Sequence, residues 1–150
     1  MVRSFFSTAR SYNSLLSHRV VSIVQPEPLH LGGISRARKA AAIAESAEAF
    51  VALHEAQSPL STAINTHIHA TLPNFLIQEC FDDFLVPWAH EIVHGVPRVR
   101  DGYIEVPDAP GIGVELDEEE IAKYPYGPEY SIRLFEEGWE KREPYKKISP

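Results

Sequence analysis

The chain has 150 residues, 44% of them hydrophobic, which is enough for one globular domain with a core of its own. Its formal charge of −7 is concentrated in residues 101–150, where thirteen acids face six bases, so the clustered Lys and Arg that nucleic acid demands are missing. The single cysteine, Cys80, excludes an intrachain disulfide and fits a cytoplasmic protein, and no apolar run nears the roughly 20 residues of a membrane span.

The opening stretch, residues 1–19, carries Arg3, Arg10 and Arg19 and no acid. That composition suits a mitochondrial presequence as well as an ill-ordered N-terminal extension, and mitochondrial is therefore the alternative location. Val20–Val24 is β-branched and apolar at nearly every position, the signature of a strand covered on both faces, and it ends at Gln25-Pro26. A loop with Gly32-Gly33 follows. Ser35 then caps a helix predicted to run to about Glu48, with Ala37, Ala40, Ala41, Ala44 and Ala47 along one face.

Phe50–Leu53 reads as a second buried strand, residues 60–71 as a second helix, and Phe75–Gln78, behind Pro73-Asn74, as a third strand. Short apolar strands alternating with helices specify parallel βαβ units. Beyond Glu79, Pro87, Pro97, Pro107, Pro110, Pro125 and Pro128 break the chain into short pieces, among them an edge strand at residues 103–107 and a short helix after Asp117 that opens on acids, where the dipole favours them. The organisation expected is an extension over 1–19, an α/β unit over 20–100 and a tail over 101–150. Trp88, Trp139, Tyr124, Tyr126 and Tyr130 read as packing or interface anchors of that tail, a surface that predicts self-association.

In parallel α/β folds reactive groups sit just past the C-terminal ends of the strands. The residues there are Glu27, His54 and Glu79, two carboxylates and an imidazole directed into one mouth. An imidazole ordinarily changes charge near neutral pH, which makes His54 the natural proton carrier, and Glu27 is placed to orient its ring. Each of the three taken singly also reads as an ordinary solvated loop residue.

The ordered series Gln25-Pro26-Glu27, Gly32-Gly33-Ile34-Ser35, residues 40–45, His54 with Ser58-Pro59, residues 72–79, Asp101-Gly102-Tyr103 and residues 107–115 resembles the mandelate racemase branch of the enolase superfamily, and within it the galactonate and gluconate dehydratases. The resemblance implies strands six to eight of a (β/α)7β TIM-type barrel plus an extended tail, an incomplete barrel, since a barrel takes about 250 residues. It implies His54 as the general acid/base of the seventh strand and Glu79 as the carboxyl group that meets the enolate-like intermediate. The family pattern has an Asp where this chain has Glu27, an extra methylene that displaces the carboxylate by about 1.5 Å unless the backbone yields.

The resemblance also implies Mg²⁺ in the complete fold, on carboxylates of the third to fifth strands, which this sequence lacks, so no bound Mg²⁺ is expected. A sugar acid is the implied substrate, its α-proton removed and its β-hydroxyl lost as water. The chain by itself is expected to be inactive. A non-catalytic remnant, or one piece of a split barrel served by a partner chain, is the alternative.

A competing motif, His90-Glu91-Ile92-Val93-His94, matches H-E-x-x-H, which sets two imidazoles on one helical face for Zn²⁺ with a Glu as base. Pro87 and Gly95-Val96-Pro97 limit a helix there to about two turns, and third ligands would have to come from Glu115 or Glu118. His67 and His69, two apart on a helix, point to different faces and do not make a ligand pair.

Overall fold

A computed structural model describes residues 8–125; Tyr126, Tyr130 and Trp139 lie outside the described residues. The order of elements is α1 (Ala9–Ser17), β1 (Ile23–Val24), α2 (Pro28–Leu31), α3 (Ile34–Ser46), β2 (Phe50–Val51), α4 (Pro59–His69), β3 (Val93–His94), β4 (Val99–Arg100), β5 (Tyr103–Ile104), β6 (Glu115–Leu116) and α5 (Glu118–Ile121). Single 3-10 turns cover Asp82–Phe84 and Pro87–His90.

The segment expected as a loose extension contains an ordered helix. Thr8 caps α1 by accepting from the Ser11 N–H, and Tyr12 and Leu16, one turn apart, are buried against α3. The face they meet is the alanine stripe: Ala37, Ala40, Ala41 and Ala44 are all buried, and methyl side chains let the two helices approach closely. Burial pushes the Tyr12 hydroxyl up to about 12. Gly33, not Ser35, occupies the N-cap of α3, with φ +108°, a conformation suited to glycine.

β1 and β2 pair in parallel, Ile23 with Phe50 and Val24 with Val51, and Val51 makes a parallel bridge to Phe75. The helices α3 and α4 connect these segments, giving the expected βαβ order. Only two residues of each of the first two expected strands have strand geometry and the third keeps a single bridge residue, Phe75, yet the hydrogen bonds run further, from Phe50 N–H to Ser22 O through Ala52 N–H to Val24 O and His54 N–H to Pro26 O. The third segment meets the sheet only through Val51: Val51 N–H donates to Asn74 O and Leu76 N–H to Val51 O. Phe75, Leu76 and Ile77 are exposed rather than covered on both faces, although the Phe75 ring rests 4.5 Å, centroid to centroid, from the His69 ring.

α4 buries a stripe of polar side chains, Thr62, Asn65, Thr66 and His69. His69 Nε2 accepts from the Leu53 N–H at 3.1 Å and its Nδ1–H donates to Gln78 Oε1 at 2.9 Å. Asn65 Nδ2 donates to His54 O, and Asn74 Nδ2 donates to both Ala41 O and Ala49 O. The contacts to Leu53 N–H, His54 O and Ala49 O give partners to backbone groups beside the short strands.

The tail does not separate at residue 101. The β4–β5 hairpin straddles that boundary through Asp101-Gly102, at φ +50° and +81°, the geometry of a two-residue primed turn. β3 pairs antiparallel with β6, and a Cβ on Gly95 would lie 2.6 Å from Gly113 O, so only glycine fits there. His67 Nε2–H donates to Ile112 O at 2.9 Å and ties the tail to α4. The short helix after Asp117 is present, and Asp117 caps it by accepting from Glu120 N–H. Trp88 stacks on Tyr124 with ring centroids 4.4 Å apart. Among the described residues no helix is long and apolar enough to cross a membrane.

Two expected outcomes test this packing. Tyr12→Ala empties a fully buried aromatic site and should cost about 3–5 kcal/mol in denaturant unfolding; an unchanged midpoint would mean that α1 does not dock on α3. Burial holds the His69 imidazole below its ordinary 6.5, and only the neutral ring can accept from Leu53. The unfolded chain takes up that proton first, so the contribution is complete above about 6.5 and declines as pH falls toward the depressed folded value. His69→Gln should therefore flatten the fall of the urea midpoint on acidification, and parallel profiles for the two proteins would refute the role.

Candidate active site

The mouth is assembled from the residues that follow the three parallel segments. Pro26 O receives the His54 N–H, so the ladder itself brings Glu27 and His54 onto adjacent positions. The Glu27 side chain is completely buried, and its two oxygens have separate partners. Oε1 accepts from Leu29 N–H at 3.1 Å and caps α2, while Oε2 accepts from His54 Nδ1–H at 3.0 Å. One carboxylate thus spans both contacts. That carboxylate contact fixes the proton of the neutral ring on Nδ1 and turns Nε2 toward the mouth.

Glu79 lies on the other side of the ring, with Oε2 4.0 Å from His54 Nε2, too far for a hydrogen bond. Its Oε2 accepts from Gln25 Nε2 at 2.9 Å and from Glu55 N–H at 3.0 Å. The structure therefore brings together all three side chains placed here from sequence, with His54 between two carboxylates and about one-fifth exposed. Further out, Gln57 Nε2 donates to His30 Nε2 at 2.9 Å and links α2 to the loop after β2.

Three participants were missed in the sequence. In the sequence Gln25 does no more than end a strand, Gln78 falls within an expected strand, and His69 falls within an expected helix with no partner in view. The signal for Gln25 was its position two residues before Glu27, hence on the same side of the same strand end.

The H-E-x-x-H reading fails on geometry. Residues 90–94 do not form a helix: His90 closes a 3-10 turn and His94 lies in β3, so the two rings do not share a helical face. His90 Nε2–H donates to Asp82 O, and His94 Nε2 stands 3.5 Å from Asp117 Oδ2. Pro87 and the Gly95–Gly113 contact that seats β3 against β6 explain why the helix does not form.

Mg²⁺ requires a near-octahedral set of oxygens. In the mouth, Glu27 is engaged through both oxygens and Glu79 through one, by protein donors. The one group of three metal-ligating side chains found among the described residues is Glu55, Cys80 and Asp82, with ligand atoms within 4.8 Å of one another. Burial raises both the Glu55 carboxyl and the Cys80 thiol, and Glu55 accepts from Gln57 and Phe81 N–H while Asp82 accepts from Thr62. A protonated thiol and two committed carboxylates do not fit Mg²⁺, so no step is derived through it.

A sequence profile of the Enolase C-terminal domain-like family matches residues 5–120. A D-galactonate dehydratase family member of Streptomyces bingchenggensis is 34% identical over 127 residues, covering 83% of this chain and 30% of that protein. The D-gluconate/D-galactonate dehydratase of Picrophilus torridus is 34% identical over 131 residues, covering 87% of this chain and 33% of its own length. The chain thus spans about a third of the length of the curated relatives it matches.

Among solved structures, the mandelate racemase/muconate lactonizing enzyme of Jannaschia sp. superimposes with a TM-score of 0.74 at 31% identity, covering 82% of this chain and 31% of the other. An enolase from Pantoea ananatis, with bound D-gluconate and Mg, gives 0.72 at 29% identity, covering 79% and 29%. With the profile matched over most of the chain and the α/β fold in agreement, the chain belongs to the enolase C-terminal domain-like family, in its mandelate racemase/muconate lactonizing enzyme branch, with sugar-acid dehydratases among its relatives.

Proposed function

We propose that this chain carries the strand-six to strand-eight side of a sugar-acid dehydratase mouth in a TIM-type barrel, with His54 as the proton carrier. The observation behind this reading is the imidazole set between two carboxylates, 3.0 Å from Glu27 and 4.0 Å from Glu79. His54 Nε2 exchanges a proton with an aldonic acid, and Glu27 stabilises the imidazolium this creates. Glu79 offers its carboxyl group to the oxygen that gains charge as the α-proton leaves. The overall change removes the α-proton and the β-hydroxyl, so one water leaves and an enol remains to become a ketone.

The reading assigns no metal to these residues and no base to the opposite face of the substrate. Accordingly the 150-residue chain, incubated with Mg²⁺ and a panel of aldonic acids including D-gluconate and D-galactonate, should yield no 2-keto product. Turnover by the chain alone would overturn that expectation. Joined to the preceding barrel strands of a relative, it should turn over an aldonate, and His54→Asn should lower kcat by about 10²–10⁴-fold. Undiminished turnover in that variant would exclude His54 as the proton carrier.

The exposed segment at Phe75, Leu76 and Ile77 favours a second reading, in which this chain contributes its strands to an assembly with another polypeptide or copy. A sheet edge with free backbone groups and exposed apolar side chains recruits a further strand. Sedimentation of the purified chain should then give a species larger than 16.8 kDa, and Ile77→Lys should shift it toward the monomer. A monomer at all concentrations would remove assembly with a second copy, and failure of the chain to pair with a polypeptide carrying the preceding barrel strands would remove the rest of this reading.

A further inference from the structure

We propose that Gln25 is a positioning residue for Glu79: its amide pins one carboxylate oxygen so that the other, Oε1, is kept for a bound ligand. The inference rests on reading Glu79 as the carboxyl group that meets the reacting oxygen. Gln25 follows β1 and is only 4% exposed. Its Nε2 donates to Glu79 Oε2 at 2.9 Å, and the Glu55 N–H donates to the same oxygen at 3.0 Å. Glu79 Oε2 is therefore tied to the ends of two neighbouring parallel segments, whereas Oε1 has no protein partner among the described residues.

The amide has only one workable orientation. A flip would set Gln25 Oε1 against the carboxylate, acceptor against acceptor. Held as it is, Gln25 Oε1 is buried without a hydrogen-bond partner. A buried unpaired acceptor weakens a fold, and an apolar side chain of the same length would avoid it. The amide is thus a poor choice for stability and a good one for fixing Glu79.

The test uses the full 150-residue chain, ¹⁵N-labelled, in wild-type form and as Gln25→Met. The Glu55 amide reports the Glu79 contact without any ligand. The expected result is a Tm equal to or above wild type, with the Glu55 amide resonance displaced and its hydrogen exchange at least tenfold faster. An unmoved Glu55 amide overturns the proposal, and so does a lowered Tm with faster exchange throughout the core, which would make Gln25 an ordinary packing residue.

Gln25→Glu provides a second variant. Its contact with Glu79 needs a shared proton, so the Glu55 resonance should return toward the wild-type position on acidification; a shift independent of pH overturns the proposal. Titration with D-gluconate separates this inference from the aldonate reading. At least tenfold weaker response at Glu55 in Gln25→Met supports both, and equal response in the two chains overturns the positioning role. No response in either chain, with the Glu55 amide displaced by the substitution, overturns the claim that Oε1 is kept for a ligand and leaves the pinning in place, while the aldonate reading is decided by turnover of the completed barrel.

Discussion

Glu27 is the constraint on which the rest of the mouth depends. A carboxylate with no solvent exposure survives only where its charge is answered, since an uncompensated buried ion costs several kcal/mol. Here the answers come from the first turn of α2 and from the His54 ring. The cap and the catalytic-type pair are one group, so the loop after β1 and the imidazole on the next strand cannot move independently. The backbone bond from His54 N–H to Pro26 O ties the same two segments a second time. One mutation at this position would therefore disturb local folding and ring orientation together.

Behind the mouth, α4 works by a logic that an apolar stripe does not express. Its inward residues Thr62, Asn65, Thr66 and His69 follow helical spacing but are polar. They face strand ends whose N–H and C=O groups need partners, and Leu53 N–H and His54 O find them there. Gln78 closes the network through His69 Nδ1–H, Thr62 O and Thr66 Oγ1. The strand ends are held by a hydrogen-bonded wedge, where α3 holds the sheet by close-packed methyl groups.

Much of this was legible because it depends on local pattern. The β-branched run before Gln25-Pro26, the alanine face of α3 and the acids after Asp117 each have one physical solution, and Glu27, His54 and Glu79 follow from where strands end. The strand lengths were not legible, since Val20 and Ile77 are apolar but exposed and whether an apolar residue is covered depends on neighbours remote in sequence. The docking of α1 is hidden for a related reason: Tyr12 and Leu16 lie in a stretch marked in sequence by its arginines and lack of acid, and what covers them is the α3 methyl face, remote in sequence. The H-E-x-x-H stretch misled because a motif states spacing only, and the tertiary contact at Gly95 and Gly113 imposes an extended backbone in its place.

The close approach at those two glycines carries a consequence for how the chain can vary. A Cβ on Gly95 would collide with a backbone oxygen, which no rotamer change can relieve, and Gly113 itself sits at φ +77° with Pro107 against it. The tail's docking on α4 through Ile112 is one residue away. Residues 95 and 113 thus form a crossing point with no spare volume, where any side chain added at 95 has to part the two strands.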